Sequence, residues 1–528
     1  MSDFQAAEFT KIADAIRTQS GNNGGIRALD FADRIRALPV GRLAAVSQIT
    51  GLANHHGQHG FTQFGNYLYG NNIGDSSIID VINTSNNTLT QIVLPTPLGG
   101  LLINGFVQVG NFLYGTTFTG VMFSPILVVI DTSNNTLVQI AGLTNGSIDG
   151  FTQHGNDLYR HTPVPTEIFD VINTSNNTLT QIVGLTTSTT TGFTLHGEWL
   201  YGHRAVSPAL DVINTVNKTT LQIAGLGIGA ITGFTSHGMW LYPHVTNWNN
   251  VISIINTTNN TVTQSIGATV SGTTLGFTLY GEWLYRHGSS SLATALDIVN
   301  TTNNSISRII GLANDSPVGF TQVGGRLYAH NGAVSAVIDV INATNNTVTQ
   351  IVGLANVTMI DFKQVGNFLY RIANFTSDEM ALDVINTSNN TVIQITGIVQ
   401  TMTFFPNPFT QAGNWLYRNL MYTASTILDA INTSNNTLTQ IVGLEGNNLM
   451  VFKSVGNLLF RQSNAPVMDV INTANNTVIK VLGITNSGGF AGYTQNGYQL
   501  YRHGGWAVGL DERAIDVINT FAVEQMIN

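Results

Sequence analysis

No cysteine occurs among the 528 residues, which excludes disulfides, thiolate metal sites and a thiol nucleophile. Charge is almost as scarce: Asp, Glu, Lys and Arg make up 9% of the chain, and the formal net charge is −9. With no block of Lys or Arg there is no basic stripe to hold phosphates, so nucleic acid is not an expected partner. No stretch approaches eighteen consecutive apolar residues, so membrane insertion is not expected either. The opening MSDFQAAEF carries acids and lacks the apolar core of a secretory signal, which predicts a product made soluble in a cytoplasm. Asn-x-Ser/Thr triplets abound, but without a secretion route they read as turns and not as glycosylation sites. What is present is 43% apolar residues, with Asn and Thr supplying much of the polarity, the composition of a packed protein with a neutral-polar surface.

One phrase recurs to the end of the chain, GFTQ-x-GN-x-LYR followed by DVINTSNNTLTQIVGL. Its first glycine is read eleven times, at Gly65, Gly110, Gly155, Gly197, Gly238, Gly281, Gly324, Gly366, Gly413, Gly456 and Gly497, at spacings of 41 to 47 residues. Such a period marks units that bury their apolar faces only against one another. Within each copy, β-branched and aromatic residues alternate in short runs separated by Gly and Asn. In residues 151–184, FTQHG reads as strand a, NDLYR as b, FDVIN as c and TLTQIVG as d, the size of a four-stranded propeller blade. The TSNN linker between c and d keeps its length, and its Asn residues suit the left-handed backbone of a tight hairpin. The b–c and d–a connections vary and share one rim, so one face is uniform and the other individual.

The strand count predicts how the repeat closes. Ten d strands follow residue 60, against eleven copies of a, b and c, and AAVSQITGL at residues 44–52 matches TLTQIVGL. An N-terminal d strand completing the C-terminal blade removes exposed edges. The expectation is an all-β protein: a single large closed β-propeller of about eleven blades over residues 43–528.

Residues 1–42 are different material, holding eleven charges against 38 in the other 486 residues. Phe9, Ile12, Ala13 and Ile16 form the stripe of an amphipathic helix that GNNGG ends. Asp30 is placed as an N-cap, Phe31, Ile35 and Leu38 share a face, and Pro39 closes a second helix. A hairpin of this size does not bury its own face, so it docks on a partner or self-associates.

The sequence LYR...FDVINTSNNTLTQIVGL with a following GFT-x-x-G resembles the YVTN and NHL-like class of β-propeller repeats, best in Val129-Ile130-Asp131-Thr132-Ser133-Asn134-Asn135-Thr136. That resemblance covers about nine tenths of the chain and implies a fold, not a function. Separately, IADAIRTQSGNNGGIRALDFADRIRAL at residues 12–38 resembles a segment at the start of many bacteriophage tail proteins, with Gln19-Ser20-Gly21 where those carry Lys-Thr-Gly. It implies a virion component.

Asp precedes VIN, or IVN or AIN in its place, in nine copies (Asp80, Asp170, Asp211, Asp297, Asp339, Asp383, Asp429, Asp469 and Asp516), and a residue that every unit needs is expected to bond backbone amides rather than catalyse. The Tyr of LYR reads as core, as do Trp199, Trp240, Trp283 and Trp415, placed between blades. Function is expected where copies differ, on the variable rim. Just past strand b stand Arg160 and His161, His203 and Arg204, His244 with Trp248, Arg286 and His287, His330, and Arg502 and His503 with Trp506. Arg forks suit carboxylates, phosphates and sulfates, and Trp and His faces suit sugar rings. The alternative is that Arg and His close strand ends against nearby Asp or carbonyls. No metal or cofactor site is expected, and no G-x-S-x-G, H-E-x-x-H, P-loop or sialidase box occurs. The loop carboxylates Asp378-Glu379 and Asp511-Glu512 leave a glycan depolymerase as a minor reading.

The sequence thus predicts a non-enzymatic virion protein of a tailed phage, attached to other virion proteins through residues 3–38 in several copies per particle. Its rim contacts host-surface polysaccharide. A purely structural virion module is the alternative.

Overall fold

A computed structural model describes residues 46–53, 60–70, 78–94, 102–118, 126–144, 148–204, 209–226, 229–246, 251–266, 273–289, 295–314, 317–331, 334–355, 357–374, 381–398, 409–418, 427–445, 452–461, 467–484, 492–502 and 514–526. The expected helical hairpin lies outside them.

Each copy of the phrase folds as a, b, c and d in antiparallel order. In the first, Phe61–Phe64, Tyr67–Gly70, Ile78–Asn83 and Thr88–Val93 make one four-stranded sheet. The a–b turn holds its glycine at positive φ, 53° at Gly65, where any side chain is strained. The last Asn of the c–d turn does the same, 57° at Asn87, and the preceding Asn86 accepts from the Thr88 amide. These two turns form the uniform face, tied together by a bond such as that from the Thr84 amide to the Asn66 carbonyl.

Six such sheets stand separately, and a seventh gains a fifth strand. Residues from Gly150 to Ile310 form one fourteen-stranded sheet, because connecting segments on the variable rim are extended enough to pair across units. The architecture is a β-propeller built from repeats.

The N-terminal strand Val46–Thr50 is the d strand of the C-terminal blade, pairing antiparallel with Ala514–Asn519 from Val46 opposite Ile518 to Thr50 opposite Ala514. After the last c strand, a six-residue helix, α1 (Thr520–Gln525), takes the place of the hairpin. Asn519 caps it, accepting from the Ala522 amide at 3.1 Å, and Val523 is buried against Leu500 and Ile518.

The core lies between blades. Tyr69, Ile79 and Val81 of the first pack on Leu113 and Ile130 of the second. Tyr501, Ile515 and Val517 of the last, with Ile49, pack in the same way on Leu68 and Ile82 of the first. Burying each such side chain is worth roughly 1.5–3 kcal/mol, so neighbours supply most of the stability of a blade. Trp199, Trp240, Trp283 and Trp415 sit half-buried in these seams.

Candidate functional site

Strand b ends at the variable rim with two consecutive residues that point to opposite faces of the blade. The first position holds Arg in six copies. Arg160 is 1% exposed, with Nη1 2.6 Å from the Asp170 carboxylate and 2.8 Å from the Thr144 carbonyl on the connector from the preceding blade. Arg371 repeats this with Asp383 at 2.9 Å and the Ala355 carbonyl at 2.6 Å. Arg286–Asp297, Arg418–Asp429, Arg461–Asp469 and Arg502–Asp516 are the other pairs. Burial lowers the pKa of Arg160, Arg286, Arg371, Arg418 and Arg461, and the facing aspartate opposes that shift. Arg160, Arg286 and Arg502 thus close strand ends against aspartate, the second of the two sequence readings, and do not lie open on the rim. Their guanidinium groups are enclosed and committed, because a buried carboxylate on strand c requires donors.

That aspartate is a hub between blades. Asp80 accepts from the Ala53 amide, on the connector from the preceding d strand, and from Gln91 Nε2 at 2.9 Å. Gln91 Nε2 also reaches the Gly51 carbonyl at 3.2 Å. Gln181 bridges Asp170 and Gly142, and Gln394 bridges Asp383 and Gly353, in the same manner. The hub meets the sequence expectation of amide bonding, but the arginine and the d-strand glutamine complete it.

The second position holds His in five neighbouring copies, the third to the seventh. Nε2 of His161, His203, His244, His287 and His330 lies 2.7–2.9 Å from the hydroxyl of Thr152, Thr194, Thr235, Thr278 and Thr321 on strand a. Nδ1 lies against a glycine at the start of that strand: a Cβ on Gly150, Gly192, Gly233, Gly276 or Gly319 would stand 3.1–3.4 Å from it. The ring then packs on a phenylalanine of the next blade, at centroid distances from 5.4 Å for His287–Phe320 to 6.3 Å for His244–Phe277. Burial holds His161 and His287 at about 4 and lowers the other three, with the neighbouring histidines adding to the effect at His161, His244 and His287. His161, His203, His244 and His287 thus lie in neighbouring blades as half-buried rings bonded within and between blades. The backbone of Arg204 pairs with Thr190 and Ile231. Trp248, His503 and Trp506 lie outside the described residues, as do Asp378-Glu379 and Asp511-Glu512.

A third contact escaped sequence reasoning. The tyrosine of LYR donates to the left-handed Asn of the next blade, Tyr69 to Asn135 at 2.6 Å, Tyr328 to Asn390 at 2.9 Å and Tyr501 to Asn87 at 2.8 Å. Burial pushes the Tyr69 and Tyr114 hydroxyls up to about 12. Two copies depart: Phe460 replaces the tyrosine in the tenth, and Lys218 replaces the Asn that Tyr159 would meet, at φ 60°, with its Nζ meeting Asp157, the Tyr159 hydroxyl at 2.7 Å and the Thr215 carbonyl at 2.9 Å. Asp157 stands where other copies carry an aromatic such as Tyr67 or Trp199, so Lys218 and Asp157 compensate each other.

Among the described residues, no group of three or more His, Asp or Glu is placed to hold a metal ion, and no helix is long and apolar enough to cross a membrane.

No known protein family and no curated protein matches the chain. Among solved structures, the computationally designed Ika8 protein is 10% identical, with a TM-score of 0.34, covering 62% of this chain and 97% of its own. BamB from Moraxella catarrhalis is 8% identical, with a TM-score of 0.33, covering 62% and 92%.

Proposed function

We propose that this chain is a non-enzymatic structural component of a tailed-phage particle, a single closed wheel of eleven blades carried on an attachment segment at residues 1–42. The pairing of Val46–Thr50 with Ala514–Asn519 and the packing of the last blade on the first support the closed wheel. The observation that carries the structural reading is the inward commitment of the repeated charge: all six arginines that end strand b, and the aspartates they face, are buried in paired hubs. That arrangement spends the repeated charge of the described residues on holding blades together, which favours a platform over a sugar-clamping surface. The phage assignment rests on the resemblance of residues 12–38, which attach the wheel to other virion proteins in several copies.

The test uses particles assembled with the full chain carrying Ile12→Asp and Ile16→Asp on the predicted helical stripe. The chain is expected to be lost from purified particles, which nevertheless adsorb to the host normally. Retention of the chain overturns the attachment role, and a selective loss of adsorption favours host-polysaccharide adhesion over the structural reading.

A further inference from the structure

The five histidines of blades three to seven share a geometry that the arginine hubs lack. With Nε2 bonded to a threonine hydroxyl and Nδ1 facing the α-carbon of a glycine, each ring is complete as the neutral Nε2–H tautomer. A second proton goes on Nδ1, where no acceptor faces it among the described residues. The rings are also neighbours: a Cβ on Gly276 would lie 3.4 Å from His287 Nδ1 and 3.7 Å from His244 Cε1. Proton uptake at one therefore raises the cost at the next.

We propose that these five imidazoles form an acid-sensitive seam, so that protonation loosens the joints between blades three to eight while the joints among blades eight, nine and ten hold. The histidines themselves are the main charged groups facing one another: His203 faces His161 and His244, and His244 and His330 face His287. Among the described residues, His330 has an acid within ion-pair reach, Asp361 at 3.6 Å on the next blade. Arg160 and Arg286 lie on the same strands but point to the opposite blade face, paired with Asp170 and Asp297, and Asp149 lies beside Gly150, its amide donating to the His161 carbonyl. No histidine occurs between residues 331 and 502, so blades eight to ten lack the device.

The sign follows from burial. The folded rings hold protons less readily than exposed histidine, so their contribution is complete above the ordinary value of about 6.5 and is lost as pH falls below it, for His161 and His287 toward about 4. Rim connectors share the seam. Arg204 pairs with Ile231, Val245 with Thr274, and the Val318 amide donates to the His330 carbonyl, so loosening reaches the variable face first in this arc.

Hydrogen–deuterium exchange of the full chain at about pH 7 and about pH 4.5, corrected for intrinsic rates, tests this. Exchange in strands a and b of blades three to seven is expected to rise at least about tenfold, the change that one unit of pKa displacement carries, with blades nine and ten unchanged. A uniform rise, or none, overturns the proposal. Replacing all five histidines by Gln, which the tenth copy carries there as Gln462, is expected to abolish the localised rise. Persistence of the rise in a folded variant also overturns it, and the contrast within the unaltered chain decides the matter if the variant does not fold.

Discussion

Blades three to seven and blades eight to ten use the same two residues at the end of strand b differently. In the second group the first position is always Arg, buried against Asp383, Asp429 or Asp469. In the first group the second position is always His, bonded to a strand-a threonine and packed on the next blade. The third and sixth blades carry both. One fold position thus presents a charge-satisfying slot toward one neighbour and a ring-sized slot toward the other, and the occupant decides whether the joint responds to pH. The seventh blade shows that the first slot also works without Arg: Asp339 there accepts from the Ala313 and Asn314 amides, Asn314 Nδ2 and Gln350.

The largest effect is expected from Arg371→Met, which leaves Asp383 buried with its charge partner removed. A loss of about 3–5 kcal/mol is expected in denaturant unfolding, and a loss under about 1 kcal/mol would mean that the amide and Gln donors suffice, as they do around Asp339. Next, Gly192→Ala brings a methyl to 3.1 Å from His203 Nδ1. It is expected to cost about 1–3 kcal/mol by overpacking, and combining it with His203→Asn should recover most of the loss. Equal costs in both backgrounds would break the link between glycine and ring. The smallest effect belongs to Lys218→Asn, which restores the repeat residue. The ion pair lost is part-exposed, at 25% and 20%, and Asn tolerates the positive φ, so a change within about 1 kcal/mol is expected by thermal unfolding.

Most of the fold was legible because each unit repeats its own turn chemistry. Gly65 and Asn87 and their counterparts mark both hairpins, and AAVSQITGL could be matched to TLTQIVGL by its residues alone. Helix α1 was not, since INTFAVEQ begins with the same capping asparagine and threonine as every hairpin. The candidate site was half legible. His161 to His287 follow strand b in neighbouring copies, but for Arg160, Arg286 and Arg502 the residues alone left two readings open, a rim contact or a strand end closed against Asp, because proximity to strand c is set by register, not by sequence distance: Arg502 lies directly opposite Asp516. One usable signal was there: every described copy with His in the second position opens strand a with Gly, whereas the eighth copy has Ile372 paired with Asp361. A ring that is met each time by a missing side chain marks a contact.

Closure of the units into one wheel is read most directly by electron microscopy of the isolated full chain, averaged down the axis. It should show one continuous ring of eleven spokes with no gap between the first and last. An open arc, a different number of spokes, or two separate discs would contradict it.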